Sequence, residues 1–274
     1  MATVLGTNGD DVLLGSEGAD AIDAGQGRDR VSALGGDDAI SADATGGGDL
    51  IEAGLGDDLV SLSAEYGSGR TVVDGGGGRD TVVLSFVETV GDSSPAGVAV
   101  YLDSVPAGEV AGDVFLLSNV ERVSVGEQVS GFGGAGVVRV FGSSNSDTVT
   151  ARQAFGFGGD DVLTAQIADG GDGDDRLTYQ ATDNVGFAVR DGAVVRGSLS
   201  GGAGDDVISV AAYADVDGGS GTDTLLTGDR GTAPALDSPG TTPGHSIDLA
   251  QGLWFQSASS RFGRRSQTTT VQGV

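Results

Sequence analysis

The chain contains no cysteine and no lysine, a single histidine, and aromatic residues at only 5% of its 274 positions. Without cysteine it can form neither disulfides nor thiolate metal sites. One histidine, His245, cannot make a multi-histidine zinc centre. With so few Phe and Trp, a globular core built on large rings is not expected. No stretch approaches the roughly 18 apolar residues of a membrane span. The start, MATVLGTNGDD, has neither the basic region nor the apolar run of a secretory signal peptide. All 14 basic residues are arginine, set against 40 acidic ones for a net charge of −26. That balance excludes nucleic acid as a partner, because nucleic-acid binding needs basic stripes.

Glycine is abundant, at 51 residues, and it is periodic. From Gly6 to Ser61 the chain reads GTNGDDVLL, GSEGADAID, AGQGRDRVS, ALGGDDAIS, then ATGGGDLIE and AGLGDDLVS after a two-residue insertion. Asp11, Asp20, Asp29 and Asp38 fall nine residues apart, and Asp49 and Asp58 resume the series. Two places after each stands an apolar residue: Leu13, Ile22, Val31, Ile40, Ile51 and Val60. Glycine-rich turns leading into short apolar-centred strands predict an all-β solenoid rather than a flexible linker. Two nines make one coil, and successive coils pair as parallel strands about 4.8 Å apart.

Four segments follow from the pattern. Residues 1–83 form the first repeat block, in which Thr71 replaces Asp in YGSGRTVVD and GGGGRDTVV restores it with Asp80. Residues 84–141 lack the period. Their Val-, Phe- and Leu-rich runs, separated by GDSSPAG and PAGEVAG, read as solenoid continuing without metal, with a small β-sandwich-like insert as the alternative. Residues 142–226 form a second block, GSSNSDTVT, GFGGDDVLT, GGDGDDRLT, GGAGDDVIS and GGSGTDTLL, with irregular spacers. One spacer, 184–200, alternates like paired strands around Asp191-Gly192. Residues 227–274 read as an incomplete second spacer, a cap or an assembly segment. Gly244–Leu249 there resembles Gly97–Leu102, and Thr270–Gln272 resembles Asn119–Glu121.

A carboxylate every nine residues stacks Asp11 over Asp29 over Asp49, and Asp20 over Asp38 over Asp58. Bare carboxylates at about 5 Å repel by roughly 1 to 3 kcal/mol per pair, and a divalent cation between them reverses the sign. Only 7 of the 40 acids are glutamate, so the charge is placed rather than scattered. Carboxylates together with inward-facing turn carbonyls make a flexible oxygen cage, which suits Ca²⁺ better than Mg²⁺ and offers soft metals nothing.

The candidate metal positions are the aspartates and their turn glycines. In the first block these are Gly6, Asn8, Gly9 and Asp11; Gly15, Gly18 and Asp20; Gly25, Gly27 and Asp29; Gly36 and Asp38; Gly47 and Asp49; Gly54, Gly56 and Asp58; Gly76, Gly78 and Asp80. In the second block they are Asp147; Gly159 and Asp161; Gly171, Gly173 and Asp175; Gly202, Gly204 and Asp206; Gly219, Gly221 and Asp223. Roughly 6 to 12 calcium ions are expected, and about ten would offset most of the charge.

GGDGDDRLT, GGAGDDVIS, GGGGRDTVV and GGSGTDTLL fit G-G-x-G-x-D-x-U-x at every fixed place. The motif resembles the RTX (repeats-in-toxin) nonapeptide of secreted hemolysin-type calcium-binding proteins. Thirteen nines, twelve of them with Asp, carry the resemblance. It implies a right-handed parallel β-roll that folds on meeting extracellular calcium. It also implies export by type I secretion machinery to the outside or the surface of a Gram-negative bacterium.

No catalytic constellation accompanies the repeats. GHSID (244–248) resembles a lipase nucleophile elbow around Ser246, but Asp248 stands where glycine belongs. No H-E-x-x-H exists for a zinc protease. Arg261, Arg264 and Arg265 form the only basic cluster, suited to another copy of the chain or to anionic surface polysaccharide. Phe132, Phe141, Phe155 and Phe157 are expected to fill or cap the coil. The expected protein is therefore a non-enzymatic, calcium-rigidified structural, surface-layer or adhesion segment. The alternative is the folding and secretion module of a longer exported hydrolase, polysaccharide lyase or epimerase.

Overall fold

Short apolar-centred stretches closed by glycine turns favour strands too brief to stand alone, which gain stability by stacking on copies of themselves. The computed structural model shows this arrangement. It describes residues 1–44, 48–65, 69–87, 98–103, 114–128, 138–180, 189–190, 193–194, 197–210, 214–227 and 267–272, and among these there is no helix. The chain divides into two compact units, Met1–Ser143 with Asp147–Gln153, and Ser144–Ser146 with Ala154–Val274.

In the first unit one sheet runs β1 (Thr3–Thr7), β3 (Ala21–Gln26), β5 (Ala39–Asp43), β7 (Leu59–Glu65), β9 (Thr81–Val87), β12 (Arg122–Gln128) and β14 (Thr148–Thr150). The second runs β2 (Val12–Ser16), β4 (Arg30–Leu34), β6 (Leu50–Leu55), β8 (Arg70–Gly77), β11 (Val114–Ser118), β10 (Val98–Leu102) and β13 (Val138–Phe141). Neighbouring strands are parallel. Up to β9 the chain alternates between sheets, so two nines do make one coil. Between 84 and 141 the strands stay in the same two parallel sheets, but β10 lies beyond β11, so the chain runs ahead one level and returns.

In the second unit one sheet runs β16 (Val162–Ala165), β18 (Arg176–Tyr179), β22 (Val207–Val210) and β24 (Thr222–Thr227), with β25 (Gln267–Gln272) added antiparallel to β24. The other runs β15 (Gln153–Gly158), β17 (Ile167–Asp172), β21 (Gly197–Ala203) and β23 (Ala214–Ser220). Between β18 and β22, β19 (Val189–Arg190) and β20 (Ala193–Val194) pair antiparallel, as the alternation around Asp191-Gly192 predicts. Thr270–Gln272 lies in the antiparallel β25, whereas Asn119–Glu121 is the turn before β12. The similarity between those two stretches is therefore not structural. Gly47, the two spacer loops, Phe132, the GHSID stretch and the arginine cluster lie outside the described residues.

Packing follows the apolar place of the nine. In the first unit Val4, Ile22, Ile40, Val60, Val82, Val123 and Val149 stand in register along one sheet. Leu13, Val31, Ile51 and Val73 face them from the other. In the second unit Leu163, Leu177, Ile208 and Leu225 form the matching ladder. Buried alanines such as Ala24, Ala33 and Ala53 fill the remaining inward places, so the core is narrow. The segment without the period carries aromatic packing. There Phe115, fully buried, meets Phe86 edge-on at 5.6 Å, and Tyr101 stacks on Phe141 at 4.9 Å. Phe157 departs from expectation: near the end of β15 it has a positive φ of 75° and is 54% exposed.

Deleting the Phe115 ring should leave a cavity that stiff parallel coils cannot close. Phe115→Ala is expected to cost about 3–5 kcal/mol. The check is a lowered denaturation midpoint at unchanged slope with calcium present. An unchanged midpoint would contradict the packing described.

Candidate metal centre

Each aspartate of the nine except Asp223, which lies within β24, sits just before a strand, where the chain enters a sheet and its N–H points along the stack. That N–H donates to Oδ1 of the aspartate one coil further on. In the first unit Asp11 donates to Asp29 at 2.9 Å and Asp29 to Asp49 at 2.9 Å, forming one column. Asp20 donates to Asp38 at 2.7 Å, Asp38 to Asp58 at 2.8 Å and Asp58 to Asp80 at 2.9 Å, forming the other. These are the two stacks that the nine-residue period predicts.

The columns continue through residues that the glycine-based motif passes over. The Asp80 N–H donates to Glu121 Oε2 at 2.7 Å, so a glutamate takes the next place. The signal for it was present: Val123 follows Glu121 by two places, the acid-x-apolar spacing without its glycines. In the other column the Asp49 N–H meets Thr71 Oγ1 at 3.4 Å, and the fully buried Thr71 fills the aspartate's place without its charge.

Among the described residues the second unit has one column. Asp161 donates to Asp175 at 2.8 Å, Asp175 to Asp206 at 2.8 Å and Asp206 to Asp223 at 3.1 Å. The separations are 14, 31 and 17 residues, so each coil there contributes one nine and one spacer. A second, solvent-facing ladder explains the frequent Asp-Asp pairs. Asp57 donates to Asp37 Oδ1 at 2.9 Å, Asp174 to Asp160 at 3.0 Å and Asp205 to Asp174 at 2.8 Å.

With Oδ1 committed to the stack, Oδ2 is turned into the coil. In Asp29, Asp38, Asp49, Asp58, Asp80, Asp175 and Asp206 this oxygen is buried and has no hydrogen-bond partner. A buried anionic oxygen without a partner is costly. Burial, more than the neighbouring charges, pushes these carboxyls up: Asp49 and Asp80 to about 6 and Asp206 to about 7, against the lowering effect of the N–H bond each accepts. Asp29, Asp38, Asp58, Asp147, Asp175 and Asp223 move in the same direction for the same first reason.

The turns supply further oxygens. Gly202 and Gly204, at φ of 114° and 138°, adopt a conformation closed to most side chains, and each lies directly over a carbonyl of the previous coil, that of Gly171 or Gly173. The same contacts recur at Gly54, Gly56, Gly76, Gly78, Gly171, Gly173, Gly219 and Gly221, and the turns at Gly25, Gly27, Gly36 and Gly159 share the positive φ. Beside Asp175 and Asp206, a methyl group on Gly170 or Gly201 would strike both the aspartate Oδ2 and the carbonyl of the next coil. Carboxylate and carbonyl oxygens thus converge on space that only a glycine leaves open. Among the described residues no three acidic or histidine side chains gather at one point, so the oxygen set is part carboxylate and part backbone. That set fits a hard cation of high coordination number, calcium in particular. Gly6, Asn8, Gly9, Gly15 and Gly18 belong to turns of a different form, in which Thr7 and Ser16 bond the aspartate.

Fold and columns together define a parallel β-roll with stacked, calcium-competent aspartate turns. Residues 5–40 and 42–64 match the RTX calcium-binding nonapeptide repeat in four copies, so this part of the chain consists of RTX repeats. The protein is accordingly a calcium-binding β-roll. Comparison with curated proteins finds no match. Among the described residues no helix is long and apolar enough to cross a membrane.

The raised carboxyls fix a pH dependence for the metal-free chain. The folded state holds protons that the unfolded state has released, so stability falls as pH rises from about 4 towards about 7. Asp20, lowered first by the Ala2 N–H and then by the Ser16 hydroxyl, contributes in the opposite sense. In calcium-free buffer the β-sheet circular dichroism should therefore be stronger at pH about 4.5 than at pH about 7.5. The reverse order would contradict the burial of the columns.

Proposed function

We propose that the chain is an extracellular structural segment whose β-roll assembles when calcium neutralises its aspartate columns, and that it has no catalysis of its own. The observation that carries this reading is the set of buried, partnerless Oδ2 atoms at coil spacing in both units. Asp29, Asp38, Asp49, Asp58, Asp80, Asp175 and Asp206 would hold the ions together with turn carbonyls, at roughly 6 to 12 per chain. Bound calcium supplies positive charge and oxygen coordination. The residues themselves set the register, exclude water and hold the coils together.

The extracellular setting rests on affinity and resemblance. Modules of this oxygen-ligand kind typically bind at about 10⁻⁴ to 10⁻³ M, concentrations met outside cells. Type I secretion by a Gram-negative host is what the RTX resemblance suggests. A structural role in a surface layer or in adhesion is favoured by the make-up of the interior. Apart from aspartates of the nines, the buried polar side chains among the described residues are Thr71 and Gln166. Other copies of the chain, or surface polysaccharide, are the partners such a role would involve.

Far-ultraviolet circular dichroism at neutral pH tests the reading. Addition of millimolar calcium should convert a weakly ordered spectrum to a β spectrum, and chelation should reverse it. A metal-free chain already fully folded at neutral pH would refute it.

A further inference from the structure

The aspartates of the nines occur in two states, according to whether the residue four places before, the second place of the nine, bonds Oδ2. In three described turns that residue bears a hydroxyl; a fourth such residue, Thr45 before Asp49, lies outside the described residues, and Asp49 Oδ2 has no partner. Thr7 donates its N–H to Asp11 Oδ2 at 2.6 Å and its Oγ1–H to the same oxygen at 2.8 Å. Ser16 does the same to Asp20 Oδ2 at 2.6 and 2.8 Å, and Ser143 to Asp147 Oδ2 at 2.7 and 3.0 Å. These residues keep φ outside the positive range. In the other described turns of the aspartate nines the second place has positive φ, for example 114° at Gly54 and at Gly202, and Oδ2 of the following Asp58 or Asp206 is left without a donor.

Two positions serve as internal controls. Leu34, in the second place before Asp38, has a side chain and still adopts φ 78°, and Asp38 Oδ2 has no partner. Phe157 likewise adopts φ 75°. The presence of a Cβ therefore does not close the turn. Closure comes with a hydroxyl that reaches the carboxylate while the backbone N–H of the same residue is aimed at it.

We infer that a serine or threonine in the second place closes its turn against calcium where both its N–H and its hydroxyl bond the aspartate, so that the Thr7, Ser16 and Ser143 turns bind none while the open turns do. The chemistry is competitive. Two donor hydrogens already point at Oδ2, and a cation could reach that oxygen only by displacing both. The closed turns hold their shape with hydrogen bonds alone. In the first unit they occupy the first coil and the Asp147 turn, with the open turns of Asp38, Asp58 and Asp80 between them, so the calcium-dependent stretch is flanked by coils that need no metal.

This inference rests on the calcium reading, and one set of measurements separates the two. Equilibrium dialysis of the full chain against radioactive calcium gives the number of ions bound. Asp20→Asn should leave that number unchanged, Asp58→Asn should lower it by at least one, and Ser16→Gly should raise it by one. A loss with Asp20→Asn equal to that with Asp58→Asn, or no gain with Ser16→Gly, overturns the inference. No calcium bound by the unaltered chain, or no loss from either aspartate variant, overturns the calcium reading itself.

Discussion

One hydrogen bond, repeated coil after coil, sets the rest of the structure: the N–H of each column aspartate donates to Oδ1 of the next. It fixes the register of both sheets at the turn, where parallel strands are shortest and most exposed to slippage. It also commits one carboxylate oxygen to the stack and leaves the other inside. The apolar ladder through Ile22, Ile40 and Val60 lies two residues beyond this bond and inherits its spacing. The same constraint creates the need for a cation, because an interior lined by Asp58, Asp80, Asp175 and Asp206 can otherwise balance Oδ2 only by taking up protons. Stability and ligand demand thus arise from the same side chain.

Much of this was legible in the sequence where the period is strict. The stacking of Asp11, Asp29 and Asp49, and of Asp20, Asp38 and Asp58, follows directly from two nines per coil, and so does the burial of Leu13 through Val60. The rest was hidden for physical reasons. Asp175 and Asp206 are 31 residues apart yet neighbours, because an insertion carrying its own antiparallel pair leaves the sheet without disturbing register. No spacing rule encodes such an excursion. Glu121 continues a column without glycines because its turn differs from those of the nines. The β8–β11–β10–β13 order depends on long-range pairing of similar Val-rich strands, which local pattern cannot rank.

The second place of the nine shows how a weakly specified position can matter. Glycine is there so often that Thr7, Ser16 and Ser143 read as tolerated variation. In the structure they reverse the turn's chemistry, replacing a partnerless oxygen by a doubly hydrogen-bonded one. Leu34 and Phe157 go the other way, accepting a left-handed backbone that costs a side-chain-bearing residue energy and leaving Phe157 exposed. A chain carrying 26 net negative charges cannot neutralise all of them by burial or pairing. It divides its aspartates between hydrogen-bonded turns, solvent-facing ladders and open columns.

The central claim is that the open columns, and not the exposed acidic ladders, hold the cations. Anomalous scattering from crystals of the calcium-loaded chain tests it directly. The account predicts ion density beside Oδ2 of Asp58, Asp80, Asp175 and Asp206, with turn carbonyls completing the coordination. An intact β-roll whose ions sit only on the outer Asp160, Asp174 and Asp205 ladder would contradict it.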